Sequence, residues 1–526
     1  DGSYSYTTNR VGNEVSTDLN STNETAGDRR IYLEAMVDYN RTFGRHDVNA
    51  MLLYNQDELV NNVPGNNLIN SLPKRKQGLA GRLSYAYDGK YMAEVNMGYN
   101  GSENFAKGHR WGFFPSIALG YNISEESFFE PLRKVITSMK LRGSWGLVGN
   151  DQIGGERFIY MPTINLSGKG FTTGIDQNYG LSGPVYTRYE NNSITWEVGE
   201  KINLGIDLQL LNSLNIVVDI FRETRRDIFQ KKGTIPTYLG TGNTDVFGNL
   251  AEMKNQGLDL SIDYNKAFSK DFYMNFKGTF TYAHNEITKY DEAPKYAFQS
   301  KVGQSANVSQ GYLSNGLFLD EAEIDRYNQQ MGSTLGAGDI KYLNVSNMHG
   351  YGDDIVDVDD WTWIGNPTVP EIVYGFGPSF KYKNWDFSFF FQGVAKTSLF
   401  MSGFHPFGDN SLRNVLQFVA NDRWSPTNQN VDAKYPRLTR KTSLNNTNPG
   451  NSGRTSDYWM RDGSFLKLKN MELGYTFKRM RFYISGSNLL TFSKFDLWDP
   501  EQGGGSGLKY PTQRVFNVGF QMTFNN

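Results

Sequence analysis

Apolar and polar residues alternate with a period of two through most of the chain, the spacing of a strand whose two faces meet different surroundings. In residues 79–87, Leu79, Gly81, Leu83, Tyr85 and Tyr87 take one face, and Ala80, Arg82, Ser84 and Ala86 take the other. Asp88-Gly89 follows, a two-residue hairpin signal. The return stretch sets Tyr91, Ala93, Val95, Met97 and Tyr99 against Met92, Glu94, Asn96, Gly98 and Asn100. The same alternation recurs around Ile202–Leu210, Leu258–Tyr264, Phe272–Tyr282 and Phe516–Phe524. The stretches run for about 9–12 residues, enough for a tilted strand to cross a bilayer, whereas globular strands average about 5–6. Their polar faces carry Asn, Asp, Gln, Lys and Arg, which would not line a dry sandwich core.

The connections are asymmetric. Short turns fall near Gly44-Arg45, Asp88-Gly89, Asn212-Ser213, Ser269-Lys270, Lys383-Asn384 and Arg479, with a longer one at 124–138. Between them lie long polar segments at about 56–77, 150–198, 224–255, 285–370, 397–463 and 491–513. Long loops at one end and short turns at the other is the outer-membrane barrel arrangement. The pattern predicts an all-β fold, a transmembrane antiparallel β-barrel with about fifteen strands in this chain. Bacterial single-chain barrels usually have an even number, so the chain is expected to be the C-terminal part of a larger barrel. Residues 1–9, with Tyr4 and Tyr6, read as the loop end of a truncated strand, and short helices are predicted at 320–331 and 411–424.

Composition fits this reading. The 526 residues include 31 Tyr and 35 Phe, yet mean hydropathy is −0.54 and there is no apolar run long enough for a membrane helix. Such an aromatic content excludes disorder. The 53 Lys+Arg balance 55 Asp+Glu, so nothing points to nucleic acid. With no Cys, disulfides and thiol chemistry are excluded, and none of the five His stands at metal-ligand spacing from another. The chain begins at Asp1, which predicts a processed or partial chain. Gly240-Thr241-Gly242 and Gly503-Gly504-Gly505 lack the Gly-Lys-Ser/Thr ending of a phosphate loop and read as flexible. Acidic residues abound, but nothing places two of them across a cleft, and no enzyme activity is expected.

Eight short stretches in order carry a resemblance. They are Trp111-Gly112-Phe113-Phe114-Pro115-Ser116, Leu141-Arg142-Gly143-Ser144-Trp145-Gly146, Gly149-Asn150, Ile364-Gly365-Asn366-Pro367 followed by Tyr374-Gly375-Phe376, Asn421-Asp422-Arg423-Trp424, Lys434-Tyr435-Pro436-Arg437-Leu438, Arg461-Asp462-Gly463-Ser464-Phe465-Leu466-Lys467-Leu468-Lys469-Asn470, and Gly486-Ser487-Asn488-Leu489-Leu490. Together they resemble the SusC/RagA-type TonB-dependent outer-membrane transporters. The resemblance implies a 22-stranded barrel of which residues 1–526 are the C-terminal part, with the plug, the TonB box and the first strands outside this chain. It further implies a Gram-negative outer membrane, import of oligosaccharides or peptides energised by the TonB complex, a SusD-like surface lipoprotein as lid, and a dimer of transporter–lid pairs. No cofactor is required.

Three groups of residues are candidates for function. Tyr186, Trp361, Trp363, Trp459 and Trp498 are loop aromatics able to stack on sugar rings, with loop packing or the membrane girdle as the alternative. Trp424, inside a family stretch, reads as structural. Asp353, Asp357 and Asp359 fall where relatives carry a calcium-loop-like Asp-x-Asn-Gly-Asp-Gly-x-Ile-Asp. This chain keeps the acids and loses the compact core, so a solvated acidic loop is favoured over structural calcium. Gly519, Met522 and Phe524 resemble the C-terminal signal read by the barrel-assembly machinery. A passive porin or surface adhesin, and a soluble carbohydrate-binding β-protein, are the alternative functions.

Overall fold

The computed structural model describes residues 27–61, 68–168, 170–236, 238, 244–327, 329–330, 335–404, 406–407, 414–440, 445 and 455–524. Residues 1–9, the 240–242 glycine stretch and Leu412 lie outside them. The main element is one sheet of fifteen strands, each pairing antiparallel with the next in sequence. These are β1 (Asp28–Phe43), β2 (His46–Asn61), β3 (Lys74–Tyr87), β4 (Tyr91–Ser102), β5 (Trp111–Asn122), β6 (Ile136–Asn150), β7 (Glu197–Leu210), β8 (Leu214–Lys231), β9 (Phe247–Ala267), β10 (Phe272–Lys289), β11 (Ile372–Tyr382), β12 (Trp385–Ala395), β13 (Phe465–Phe477), β14 (Met480–Ser493) and β15 (Val515–Met522). The expected strand number and the predicted turns stand. No described helix is long and apolar enough to cross a membrane.

Register assigns the faces. Leu204 lies opposite Ile220, Ile220 opposite Leu258, and Leu258 opposite Tyr282, forming an apolar row across four strands. One rung away runs a polar row: Arg142, Gly205, Asp219, Asp259 and Thr281. Arg142 reaches across Gly205 and donates from Nη1 and Nη2 to Asp219 at 2.7 Å each, while its Nε donates to Asp207 at 2.9 Å. A Cβ at Gly205 would meet the Arg142 guanidinium carbon at 2.6 Å, so only glycine lets this bidentate pair span the strand between its partners. A second polar network joins Arg481 of β14 to Asp386 of β12 and Glu472 of β13. The apolar face is exposed, with Leu83, Val95, Leu119, Leu204, Ile220 and Ile484 open to the surroundings. In water this surface would aggregate; against lipid it is the required one.

The buried core lies outside the sheet. Its main cluster is built from loop residues, among them Tyr312, Ile340, Tyr342, Met401, Phe407, Trp424, Tyr435, Trp459 and Phe495. A smaller one joins Phe105, Ile153, Ile159, Ile194 and Trp196.

Strand ends differ from expectation. The 224–255 segment shrinks to 232–246, because β8 and β9 stay paired far past the apolar band, and β9 is 21 residues long. The 56–77 segment likewise shrinks to 62–73. Beyond the lipid band, polar side chains suit a hydrogen-bonded ladder in water, so polarity marks the band edge rather than the strand end. Both predicted helices are shorter. One is Glu321–Arg326, where the Asp320 side chain caps the helix by accepting from the Glu323 amide at 2.7 Å. The other is Gln417–Asn421, while Val415 and Leu416 pack on the loop core without helical backbone.

Ile206 sits on the apolar face of β7 and Gln209 on the polar face. Ile206→Arg is expected to destabilise the folded barrel by about 2–4 kcal/mol in bilayers, and Gln209→Arg by much less. Denaturant unfolding of both variants in lipid vesicles measures the difference, and equal losses would overturn the facing.

Candidate functional site

Strands alternate in direction, so every long connection emerges at the same end of the sheet. There the 290–371, 396–464 and 494–514 segments fold together. Short strand pairs organise them: Ser309–Gly311 with Thr362–Ile364, Ser314–Leu317 with Ile340–Tyr342, and Ser398–Phe400 with Met460–Asp462. Outside that group, Thr163–Gly168 pairs with Gly183–Arg188.

Buried charge pins this crown. The Asp339 carboxylate is fully buried. It accepts from Arg437 Nε at 2.5 Å and Nη2 at 2.9 Å, from Asn445 Nδ2 at 2.7 Å, and from the Gly336 amide at 2.9 Å. A second latch holds the last loop to β13. Lys467, almost fully buried, donates to Asp499 and to Glu501 at 2.6 Å each, and Lys469 donates to Glu501 at 2.6 Å. Burial works to raise the Asp499 carboxyl, but bonds from Lys467 and from the Glu501 amide outweigh it and hold the group below its ordinary range. Glu501 is lowered in the same way, by the two lysines against burial.

The predicted ligand aromatics separate into different settings. Trp459 is 0% exposed and packs against Phe407 with ring centroids 5.3 Å apart. That is a correction: its apolar bulk builds the loop core and presents no surface to a ligand. Trp498 packs edge-on to Phe495 at 4.5 Å and donates its indole N–H to the Gly503 carbonyl at 3.0 Å. Trp363 donates to the Ser300 carbonyl at 2.9 Å. Tyr186 is exposed and stacks on Tyr189 at 5.2 Å. Trp361 packs against the loop core and also lines a groove of about 510 Å³ with Tyr290, Lys301, Gln299, Gln310 and Lys232. Trp424 is buried, as the structural reading expects.

The acidic residues do converge. Carboxylate oxygens of Asp353, Asp357 and Asp359 lie within 4.8 Å of one another. Asp353 accepts from the Ile355 amide at 3.1 Å and from Asn344 Nδ2 at 3.3 Å, which, led by the amide, lowers its pKa. Asp357 accepts from the Asp359 amide at 2.8 Å, and Asp359 pairs with the Lys295 ammonium. These three side chains offer part of the six to eight oxygens that calcium takes, and a lysine already neutralises one of them.

At the C-terminus, Gly519 lies opposite Tyr483, whose ring fills the place of a Cβ at 2.0 Å. Met522 pairs with Met480, and Phe524 is exposed beyond the strand.

A sheet with an apolar and a largely polar face, short turns at one end and a folded crown at the other is what the family comparison meets. The family model for the TonB-dependent receptor-like β-barrel matches residues 1–489. The chain belongs to that family. It is an outer-membrane β-barrel protein of a Gram-negative bacterium. Curated relatives include TonB-dependent receptor P3 of Formosa agariphila, 26% identical over 84% of this chain and 45% of the relative. TonB-dependent receptor SusC of Bacteroides thetaiotaomicron is 28% identical over 84% of the chain and 43% of the relative. The chain thus spans about half the length of the curated relatives it matches. Among solved structures, that of the RagAB peptide transporter shares the fold, with a TM-score of 0.70 and 20% identity over 94% of this chain and 56% of that one.

The sequence missed Arg437–Asp339 because the partners lie 98 residues apart. Arg437→Met leaves the buried Asp339 charge without its main partner. The expected loss is about 3–5 kcal/mol in the stability of the crown, read as earlier proteolysis of the 290–371 and 396–464 loops with the strands still protected.

Proposed function

We propose that residues 1–526 form the C-terminal wall of a 22-stranded barrel that actively imports oligosaccharides or peptides. A plug and TonB box from outside this chain would transmit the energy of the TonB complex, and a SusD-like lipoprotein would lid the crown. The polar strand rows, with Arg142–Asp219 and Arg481–Asp386 among them, face the lumen and the path of the cargo. The crown supplies the contacts for the lid and for ligand, with the Trp361 groove as the preferred contact and Tyr186 as a second exposed aromatic. Asp353, Asp357 and Asp359 form a solvated acidic loop in this reading, with structural calcium as the alternative. Gly519, Met522 and Phe524 serve as the assembly signal. Dimerisation of transporter–lid pairs is part of the same reading, and no catalytic role is proposed.

One observation carries this best: residues 1–489 match a TonB-dependent barrel family, and the described loops fold into a crown with its own core. Its relatives among the TonB-dependent receptors, and the RagAB peptide transporter that shares its fold, support the same direction.

The test compares uptake of labelled glycans and peptides by cells carrying the whole protein, with and without a working TonB complex. Active import predicts uptake that disappears without TonB. Uptake that persists unchanged would identify a passive pore.

A further inference from the structure

At the short-turn end, one connection differs from the others. Most are tight turns, such as Gly44-Arg45 and Lys383-Asn384. Between β5 and β6 the chain instead makes a 3-10 helix at Ser127–Leu132. Phe129 turns inward and is 3% exposed, which fixes the segment. Its neighbours turn out: Phe128 is 66% exposed, Leu132 52% and Val135 57%. Leu211, in the next turn and 59% exposed, adds to them, because its amide donates to the Val135 carbonyl at 2.9 Å. Single exposed apolar residues are ordinary, but four gathered in two adjacent turns are not.

The surroundings identify what covers them. Tyr91 and Tyr121 share a rung with Leu141 on the lipid-facing side, and their rings stack at 5.2 Å. The Tyr91 hydroxyl donates to Glu126 at 2.5 Å, tying the start of the segment to this aromatic level. The apolar group therefore continues the lipid face past its tyrosine girdle. Two cations accompany it. Arg133 donates from Nε to the Ser124 carbonyl at 2.7 Å, and its Nη2 lies 3.8 Å from the exposed Glu125 carboxylate with the side chain still partly open to the surroundings. Lys134 is exposed and has no partner among the described residues. Apolar side chains next to exposed cations are the composition of a segment that lies in a membrane interface. Short turns of outer-membrane barrels are periplasmic, where the leaflet is phospholipid.

We propose that residues 127–135, with Leu211, form an interfacial foot. Phe128, Leu132, Val135 and Leu211 enter the acyl–headgroup boundary of the periplasmic leaflet, and Arg133 and Lys134 meet its phosphates. The foot anchors one point of the barrel rim at a fixed depth while the lumen contents rearrange.

The chain contains no Cys, so a single introduced thiol is unambiguous within it. The test uses the whole transporter in phosphatidylethanolamine–phosphatidylglycerol vesicles, with a nitroxide at Phe128→Cys and, separately, at Leu132→Cys. Leu204→Cys and Gln209→Cys report the lipid and lumen faces. The foot predicts oxygen collisions several-fold more frequent than collisions with a water-soluble nickel chelate, at a depth shallower than Leu204. Dominant chelate collisions would place the segment in the periplasm and overturn the proposal. Suppression of both would place it against protein, the plug or a periplasmic partner, and overturn it equally. A Leu204 label without lipid character would instead indict the strand facing.

Discussion

The structure depends on the backbone hydrogen bonds between neighbouring strands. In hydrocarbon no water can replace them, and each unsatisfied N–H or C=O costs several kcal/mol. Every strand inside the bilayer therefore needs a partner on both sides. In this chain β2 to β14 each meet that requirement, always antiparallel and always with their neighbours in sequence, while β1 and β15 each pair on one side among the described residues. With the ladder fixed, the period-two pleat sends one row of side chains to lipid and the next to the lumen. A slip of one residue would exchange the rows and bring the Arg142 and Asp219 charges into the bilayer.

The single-layered wall leaves no room for a core of its own, so apolar packing moves to the loops. The crown closes around Trp459, Tyr342 and Met401, and buried ion pairs join Asp339 to Arg437 and Lys467 to Asp499 and Glu501. Such pairs add little net stability compared with apolar packing, but breaking one leaves a buried charge alone. They make the crown hold one arrangement. The wall is thus set by backbone pairing and the crown by side-chain packing, and the two can vary separately.

That division explains what could be read from the residues. Turns such as Asp88-Gly89, and the alternation in 79–99, are local signals, and the structure follows them. β8 was harder: Asn215-Ile216-Val217-Val218-Asp219-Ile220-Phe221 is apolar on both faces, and only pairing of Val218 with Ile206 and Leu260 shows which valine meets lipid. Strand ends past the lipid band were hidden by polar composition. In the crown, residue type alone does not distinguish a groove-lining indole from a core one. Trp361 reaches a groove, while Trp459, with the same chemistry, fills the interior. Contacts across about 100 residues, like Arg437 with Asp339, leave no periodic trace in sequence.

The central claim, that pairing fixes a lipid row and a lumen row, is tested most directly on β8, where sequence alone is ambiguous. Single cysteines at consecutive positions 214–221 would carry a fluorophore, and brominated lipids would report contact with acyl chains. The account predicts strong quenching at Leu214, Ile216, Val218 and Ile220 and weak quenching at Asn215, Val217, Asp219 and Phe221. Strong quenching at the second set, or no alternation at all, would contradict it.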